Sequence, residues 1–416
     1  MRGTEAAPLV PRSNALMTTA SSSHVRAWDL RGVTLMAFAH GASDVYSGIL
    51  PFVIFYDVTR AGLPPWCQGA LAFVWYLISS IAQPLAGAYS DRRGQWWFLP
   101  AAVALTAIGV SAIAAVTTLP LLIAFVVVGG LGSAVMHPEA GRYSALLGGS
   151  KRASAISIYQ IGGQIGYGIG PLVAAALLAH GGAASIVALS LPGLLAAALV
   201  AVVLPGFARH ADAGSPRRED AATKAAHPPV DRFALALLVS STGLRYLTGA
   251  SFAFYLPNLL TARGLPLTAT GALVTAFLIA AVAGLYAGGA VADRFGHARV
   301  AIFGLVAAVA PLLFGLGLRG PLAVAMLLLG SALISMQNAP GVALAQALMP
   351  RNLGAALGLM NGVAFGLGSL GVALIGIVVT RSGPDAALTL AAFAPLPAAV
   401  AYWVVGRRRA RSSSGR

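Results

Sequence analysis

The chain has 416 residues, of which 58% are hydrophobic and only 9% are charged. Because soluble domains carry about 25% charged residues, this composition excludes an ordinary water-soluble enzyme. The 27 Lys and Arg residues outnumber the 12 Asp and Glu residues and give a formal net charge of +15. The single cysteine, Cys67, excludes an intrachain disulfide and a zinc site built from cysteines.

The first half of the chain begins with a polar segment and continues with six apolar ones. Residues 1–31 are small, polar and basic, which predicts a cytoplasmic N-terminal tail. No cleaved signal is expected, because the first long apolar run starts near residue 32 and is interrupted by His40 and Asp44. Each apolar segment is long enough to span a membrane as a helix. The predicted helices 1 to 6 cover 32–56, 67–90, 97–117, 119–145, 152–179 and 183–205.

A polar stretch separates this half from a second one of the same kind. Residues 206–231 are rich in charged side chains, cannot bury a core and predict a cytoplasmic linker. The predicted helices 7 to 12 cover 232–260, 266–292, 299–318, 321–347, 353–380 and 384–406, and residues 407–416 predict a basic cytoplasmic tail. The sequence thus predicts an all-α integral membrane protein, with one six-helix bundle in 32–205 and a pseudo-symmetric one in 232–406.

The basic residues are concentrated in the two tails, the linker and the loops on the same side of the predicted membrane. By the positive-inside rule this side is the cytoplasm, and both termini lie there. The basic residues form no dense stripe, which argues against a nucleic-acid partner. The surplus of positive charge therefore marks the topology, and the lipid bilayer is the expected partner.

Two loops carry the same motif, GxxxDRxG, at the cytoplasmic end of the second helix in each half. Its residues are Gly87, Asp91, Arg92 and Gly94 in the first copy, and Gly289, Asp293, Arg294 and Gly296 in the second. The copies are 202 residues apart, nearly half the chain. Glycine lets a neighbouring helix approach, the aspartate accepts hydrogen bonds from a helix N-terminus, and the arginine can meet a carboxylate. We therefore expect these residues to gate the cytoplasmic side.

This repeat, the layout of six helices, linker and six helices, and the predicted inside termini resemble the major facilitator superfamily over residues 32–406. On predicted helix 5, Gly166, Gly170 and Pro171 resemble a motif of its drug/proton antiporters. If this resemblance holds, these three residues belong to the conformational gate. Close helix packing through small residues is the alternative interpretation.

A narrower resemblance, to the fosmidomycin-resistance branch, rests on the segments 40–48, 136–142 and 157–163, and on Arg245 upstream of Phe254 and Pro257. The sequence His-Pro-Glu at 137–139, followed by Arg142, is its most specific part. This resemblance implies proton-driven export of a small polar or anionic drug-like compound or metabolite across the bacterial inner membrane, by a chain that acts as a monomer. No nucleotide-binding loop and no metal-ligand spacing is present, so neither a cofactor nor enzymatic activity is expected.

Charged side chains in the middle of the predicted helices require a partner or a function, because each costs about 2.5–3.5 kcal/mol at the bilayer centre. Asp44 lies near the middle of helix 1, and His40 lies one helical turn before it on the same face. We predict that Asp44 is the main proton carrier. A permanent ion pair with an arginine is the alternative, and His40 is either a second proton site or a packing residue.

Predicted helix 4 carries a second charged cluster. Glu139 and Arg142 are three residues apart and can pair along one face, and Pro138 permits a kink. We predict Glu139 and His137 as proton-coupling partners and Arg142 as a substrate-binding charge. The alternatives are an intrahelical ion pair of Glu139 and Arg142 near the membrane boundary, and a packing role for His137.

Arg245, in the middle of predicted helix 7, has no acidic neighbour in its own helix. Either it binds an anionic substrate through bidentate contacts, or it neutralises Asp44 across the cavity. Five further polar residues are expected to complete the substrate cavity: Tyr46, Gln160, Gln164, Asn338 and Asn361. Two other functions remain open, namely a proton symporter that imports an organic anion and a membrane sensor or scaffold that transports nothing.

Overall fold

The computed structural model describes residues 28–93, 95–212, 230–350 and 352–414. Within these ranges the ordered elements are helices, and no β-strand is present. Nine segments of the described chain are long and apolar enough to cross a membrane. Most of the predicted N-terminal tail and of the predicted linker lies outside the described residues. The all-α membrane architecture is therefore confirmed for the part of the chain that carries the predicted bundles.

The first half contains six helices. They are α1 Leu30–Arg60, α2 Trp66–Arg93, α3 Phe98–Ile113, α4 Leu119–Leu147, α5 Arg152–Ala188 and α6 Ser190–Asp212. The second half contains α7 Arg232–Ala262, α8 Leu267–Phe295, α9 His297–Gly317, α10 Pro321–Ser335, α11 Asn338–Leu348, α12 Leu353–Gly358, α13 Ala364–Phe393 and α14 Pro395–Ser414. A short π-helix, Leu359–Val363, joins α12 to α13.

Two glycines turn the chain back across the bundle. Gly182 in α5 has φ 58° and ψ −151°, and Gly383 in α13 has φ 83° and ψ 167°. Backbone of this kind favours glycine, because a Cβ would clash at positive φ. The end of α5 therefore continues into α6 as a sixth crossing, and the end of α13 continues into α14 as a twelfth. Since α10 with α11 and α12 with α13 each form one crossing, the described residues contain the predicted two bundles of six crossings.

Several helices extend beyond their predicted ends. α1 starts at Leu30, where the Asp29 side chain accepts a hydrogen bond from the Gly32 N–H at 3.0 Å, and α6 continues to Asp212. α14 continues to Ser414, past the predicted end at 406. The apolar pattern marks the membrane crossing, whereas the hydrogen-bonded backbone continues into the polar flank.

Glycines hold α1 against α5 at backbone contact. A Cβ on Gly166 would meet the carbonyl of Gly41, and a Cβ on Gly170 would meet the backbone of Gly48. The predicted small-residue packing on this helix is therefore present, while its antiporter-specific role stays a prediction. Pro171, the last residue of the motif, is buried and its carbonyl faces Gly271 of α8, in the other half.

The bundle has two ends. We call the end with the start of α1 and the end of α14 the terminal face, and the opposite end the far face. The two halves meet mainly at the far face. At the far face, the Trp66 N–H donates to Thr380 Oγ1 at 2.9 Å. The Leu172 N–H donates to Thr275 Oγ1 at 3.0 Å, and Gly271 packs on α5. Packing between the halves is concentrated in the pairs α2–α13 and α5–α8. The bundle is therefore closed at the far face.

The motif residues lie at the terminal face and contact their own halves. A Cβ on Gly87 would lie 3.5 Å from Pro138, and a Cβ on Gly289 would lie 3.4 Å from Ala339. Gly296 ends α8 with φ 92°. Asp293 and Arg294 are exposed, and Asp293 Oδ1 lies 4.0 Å from His297 Nε2. The side chains of Asp91 and Arg92, and the whole of Gly94, lie outside the described residues, so the predicted gate stays a prediction.

Asp231 caps α7 and offers a test of helix stability. Its carboxylate accepts a hydrogen bond from the Ala234 N–H at 3.0 Å and lies 3.3 Å from Arg408 of α14. The hydrogen bond from the Ala234 N–H, and then the Arg408 guanidinium, lower the pKa of the Asp231 carboxyl. The ionised carboxylate therefore stabilises the fold above its ordinary pKa, and this stabilisation is lost as the pH falls through the pKa of the folded state. Asp231→Ala is expected to destabilise the fold by about 1 kcal/mol, measured by thermal unfolding in detergent at neutral pH. Asp231→Asn keeps the cap and loses only an exposed ion pair, so an equal loss in both variants would contradict the capping role.

The closed far face predicts that Cys67, buried at the start of α2, is labelled slowly by a maleimide. A Cβ on Gly271 would meet Ala175 and the carbonyl of Pro171, so Gly271→Ala is expected to push α8 away from α5. If the halves move as units, α2 then separates from α13 and Cys67 is labelled several-fold faster. Gly317→Ala is the matched control, because nothing lies within 4 Å of its added Cβ. Equal labelling rates in the two variants would contradict the far-face closure.

Candidate functional site

The centre of the first half holds a carboxylate between two imidazoles. Asp44 Oδ2 lies 3.1 Å from His40 Nε2, one turn earlier on α1. Asp44 Oδ1 lies 3.6 Å from His137 Nε2 on α4. His40 and Asp44 are largely buried, whereas the His137 side chain is 32% exposed. The predicted contact between His40 and Asp44 is present, and His137 joins it from a helix far away in the sequence.

Backbone carbonyls orient both imidazoles, and Tyr159 of α5 contacts both histidine residues. His40 Nδ1 donates to the Tyr159 carbonyl at 2.9 Å, and the His40 and Tyr159 rings stack with centroids 4.1 Å apart. The Tyr159 hydroxyl donates to the His137 carbonyl at 3.2 Å, and His137 Nδ1 donates to the Ser133 carbonyl at 2.7 Å. Because a carbonyl can only accept, both Nδ1 atoms carry hydrogen. In the neutral rings, each Nε2 therefore turns a lone pair towards Asp44.

Glu139 and Arg142 form the predicted pair along α4. Arg142 donates to Glu139 Oε1 at 3.0 Å, with Glu139 almost fully buried and Arg142 19% exposed. The Arg142 guanidinium also lies over the Tyr143 ring, 4.4 Å from its centroid. Both charges of this cluster are thus compensated within one helix.

Arg245 of α7 is buried, and no carboxylate of the described chain lies within ion-pair distance of it. The guanidinium carbon of Arg245 lies 5.8 Å from the centroid of the Tyr246 ring. Of the two predicted roles for Arg245, neutralisation of Asp44 is therefore not observed in this conformation, because Asp44 contacts the two histidines instead. His40 Nε2 and His137 Nε2 lie 3.1 and 3.6 Å from the carboxylate oxygens, whereas Arg245 lies in the other half.

Aromatic and amide side chains contact Tyr246 and Thr242, the neighbours of Arg245 on α7. Tyr76 of α2 meets Tyr246 edge to face at 5.3 Å, and Tyr246 stacks on Phe365 of α13 at 4.3 Å. Close by, Gln337 Nε2 donates to Thr242 Oγ1 at 3.0 Å and also to the Tyr402 hydroxyl. Tyr76 and Phe365 were not among the predicted site residues, because aromatic residues in membrane helices are too frequent to identify a site from sequence.

A family model described as Major Facilitator Superfamily matches residues 33–244 and 238–416. The chain belongs to the major facilitator superfamily. It is a membrane transporter, and the predicted resemblance to this superfamily is confirmed. The bundle of two halves and the charged groups near its centre are therefore to be understood as parts of a transporter.

Two curated proteins show how this transporter relates to its superfamily. It is 27% identical over 383 residues to an uncharacterized MFS-type transporter, YfnC, of Bacillus subtilis (strain 168), covering 91% of this chain and 93% of that protein. It is 30% identical over 335 residues to the fosmidomycin resistance protein of Escherichia coli (strain K12), covering 79% of this chain and 81% of that protein. The narrower resemblance to that branch is thereby supported.

Solved transporter structures share the fold. A bacterial homolog of the human lysosomal transporter Spinster, in an inward-facing and unoccupied conformation, gives a TM-score of 0.75 at 16% identity, covering 91% of this chain and 96% of that chain. The nucleoside transporter NupG gives a TM-score of 0.68 at 16% identity, covering 91% of this chain and 99% of that chain. At this identity the likeness concerns the fold alone.

The other predicted substrate residues of the transporter have mixed positions. Tyr46 is buried, and its hydroxyl donates to the Leu189 carbonyl at 2.7 Å, so it packs α1 against α6. Gln160 on α5 and Asn361 in the short π-helix are exposed, while Gln164 and Asn338 are half-buried. In the described chain, none of these five residues hydrogen-bonds Arg245 or the carboxylate cluster. Their substrate-binding role stays a prediction, and the Tyr46 hydroxyl is already used in this conformation.

Proposed function

We propose that the transporter exports a small polar or anionic compound in exchange for protons, by alternating access across the bacterial inner membrane, with both termini in the cytoplasm. The observation that carries this proposal is Arg245, a buried cation without a carboxylate partner among the described residues. The relative named for fosmidomycin resistance supports export of a drug-like compound. Rocking of two six-helix bundles around a central site is the mechanism that the fold supports.

An anion explains the environment of Arg245. Desolvating a guanidinium is unfavourable by several kcal/mol unless a counter-charge and hydrogen bonds compensate it. Arg245 Nε, moreover, has no hydrogen-bond partner in the described structure. A carboxylate or phosphonate group would accept two parallel N–H bonds from the guanidinium. Arg245 is therefore proposed as the residue that binds the substrate anion, with Arg142 as a second positive charge across the cavity.

We propose that the coupling protons bind in the first half of the chain. Asp44 Oδ1 is buried and accepts no hydrogen bond in the described structure. Since both imidazole Nε2 atoms also face this carboxylate as acceptors, a proton between them adds the missing donor. The exposed part of His137 gives a route to the cavity. Asp44 is thus proposed as the main proton site, with His40, His137 and Glu139 as coupling partners.

Coupling then follows from the placement of the two sites in different halves. Exchange requires that the anion and the proton occupy the transporter in turn, so that binding of each disfavours binding of the other. We propose that Arg245 binds the anion in one conformation and that the Asp44 cluster binds the proton in the other. Such a coupling free energy is reciprocal between the two ligands. The driving force is the proton gradient, and no bound cofactor is invoked.

Replacement of Arg245 tests the anion site. Arg245→Lys keeps the charge but loses the planar fork, so binding of fosmidomycin, or of the best ligand in a panel of small organic anions, is expected to weaken about tenfold or more. Arg245→Gln should weaken it further. Binding is measured by calorimetry on the purified protein. Arg263→Lys is the matched control, because Arg263 directly follows α7 and pairs with exposed Asp385 at 2.5 Å. Equal affinity in all four proteins would contradict the assignment.

Replacement of Asp44 tests proton coupling. In proteoliposomes with an opposed substrate gradient, wild-type protein is expected to move protons against the direction of the substrate. Asp44→Asn preserves shape and should abolish this proton movement, whereas Asp385→Asn, an exposed carboxylate at the far face, should not. Full coupling in Asp44→Asn would refute the assignment. Parallel movement in the wild type would instead indicate a symporter, and no movement for any anion would indicate a sensor.

A further inference from the structure

His40, Asp44 and His137 each offer one ligand atom, and all three atoms lie within 4.8 Å of one another. We propose that this triad binds a divalent transition-metal ion of the zinc class. The sequence predicts no metal site, because the ligands lie on two helices and follow no recognisable spacing. The folded chain brings them together from α1 and α4.

The distances within the triad are close to those of a metal site. An ion about 2.1 Å from each ligand in tetrahedral geometry places neighbouring ligand atoms about 3.4 Å apart. Asp44 lies 3.1 Å from His40 and 3.6 Å from His137, measured between the nearest oxygen and Nε2. The three ligand atoms lie within 4.8 Å of one another, so binding of an ion requires His137, the most exposed of the three side chains, to move towards His40 and Asp44.

The hydrogen bonds behind the triad prepare both imidazoles to bind a metal. Metal-ligating histidines almost always donate their second N–H to a carbonyl or carboxylate, which fixes the tautomer. His40 does so to the Tyr159 carbonyl at 2.9 Å, and His137 to the Ser133 carbonyl at 2.7 Å. Both Nε2 lone pairs therefore point at the same place as the Asp44 carboxylate, whose Oδ1 accepts no hydrogen bond in the described structure. A cation between three acceptors satisfies all of them.

The neighbouring helix α5 is shaped around the His40 ring. Gly163 faces this ring, and a Cβ at that position would overlap its Cε1 and Nε2 atoms. On α5 one turn earlier, the Tyr159 ring stacks on the same imidazole at 4.1 Å. These contacts leave His40 one orientation, with Nε2 towards Asp44. His40 is therefore held in its ligand orientation before an ion arrives.

Two imidazoles and one carboxylate favour zinc, cobalt or nickel over magnesium and calcium, which prefer oxygen ligands. A site with three protein ligands keeps an open position, as catalytic zinc sites do. Here that position lies on the side of the partly exposed His137, where water or an anionic group can bind. The ion and the proposed coupling protons would be alternative occupants of the same atoms, but binding of the ion is independent of the proposed transport direction and substrate.

The test is metal binding by the purified full-length protein in detergent, without a polyhistidine tag and after removal of metals. Titration with Co²⁺, followed by its visible absorption and by calorimetry, is expected to give one ion per chain, displaced by Zn²⁺. His137→Gln and Asp44→Asn should each weaken binding at least about tenfold, since each removes a ligand. No substrate or pH gradient is present, so failure here leaves the transport proposal intact, and failure of transport leaves the metal site intact.

The chain offers matched controls for this experiment. His180 also donates from Nδ1 to a carbonyl one turn earlier, Ala176 at 2.7 Å, but is exposed on α5 away from the triad. His297 lies 4.0 Å from Asp293 at the terminal face and represents a simple surface pair. His180→Gln and His297→Gln should both bind Co²⁺ as the wild type does. Absence of one-to-one Co²⁺ binding in the wild type would overturn the proposal, whatever the variants do. So would unchanged affinity in a folded His137→Gln protein, with folding checked by gel filtration and thermal unfolding.

Discussion

The architecture of this transporter depends on how charge is compensated inside an apolar helix bundle. In the first half, Asp44 lies between two histidines and Glu139 is bonded to Arg142, so each acid has its partners within the same bundle. In the second half, Arg245 is buried without a carboxylate in the described structure. Since desolvating a charge is unfavourable unless it is compensated, this imbalance is the basis for the anion site proposed at Arg245.

Backbone contact between α1 and α5 brings together the groups around His40. Gly166 and Gly170 bring α5 against α1, and this approach places Tyr159 and Gly163 beside the His40 ring. Small residues therefore act twice, first by letting two helices touch and then by leaving space for an imidazole. The orientation of the charged groups follows from this packing and not from flexible side-chain positions.

Much of the fold and some contacts of the candidate site could be predicted from sequence, whereas the other contacts depend on tertiary structure. The bundles, His40 with Asp44, and Glu139 with Arg142 follow from apolar segments and helical spacing. The approach of His137 to Asp44 does not, because no local pattern relates α4 to α1. Helix ends were also missed at α6 and α14, since hydrophobicity locates the membrane and not the last backbone hydrogen bond. The hydroxyl of Tyr46 was expected in a cavity, but it donates to the Leu189 carbonyl, between α5 and α6.

Gly87 faces Pro138 and Gly289 faces Ala339, so the same helix–helix contact is present in both halves. The side chains beside this contact differ between the halves. His-Pro-Glu at 137–139 corresponds, at the offset of 202 residues, to Ala-Pro-Gly at 339–341. One copy of the fold thus carries the acid–base groups, and the other has none at the matching place. The two halves share one fold but carry different side chains at matching positions. Exchanging the order of the halves would therefore not give an equivalent transporter.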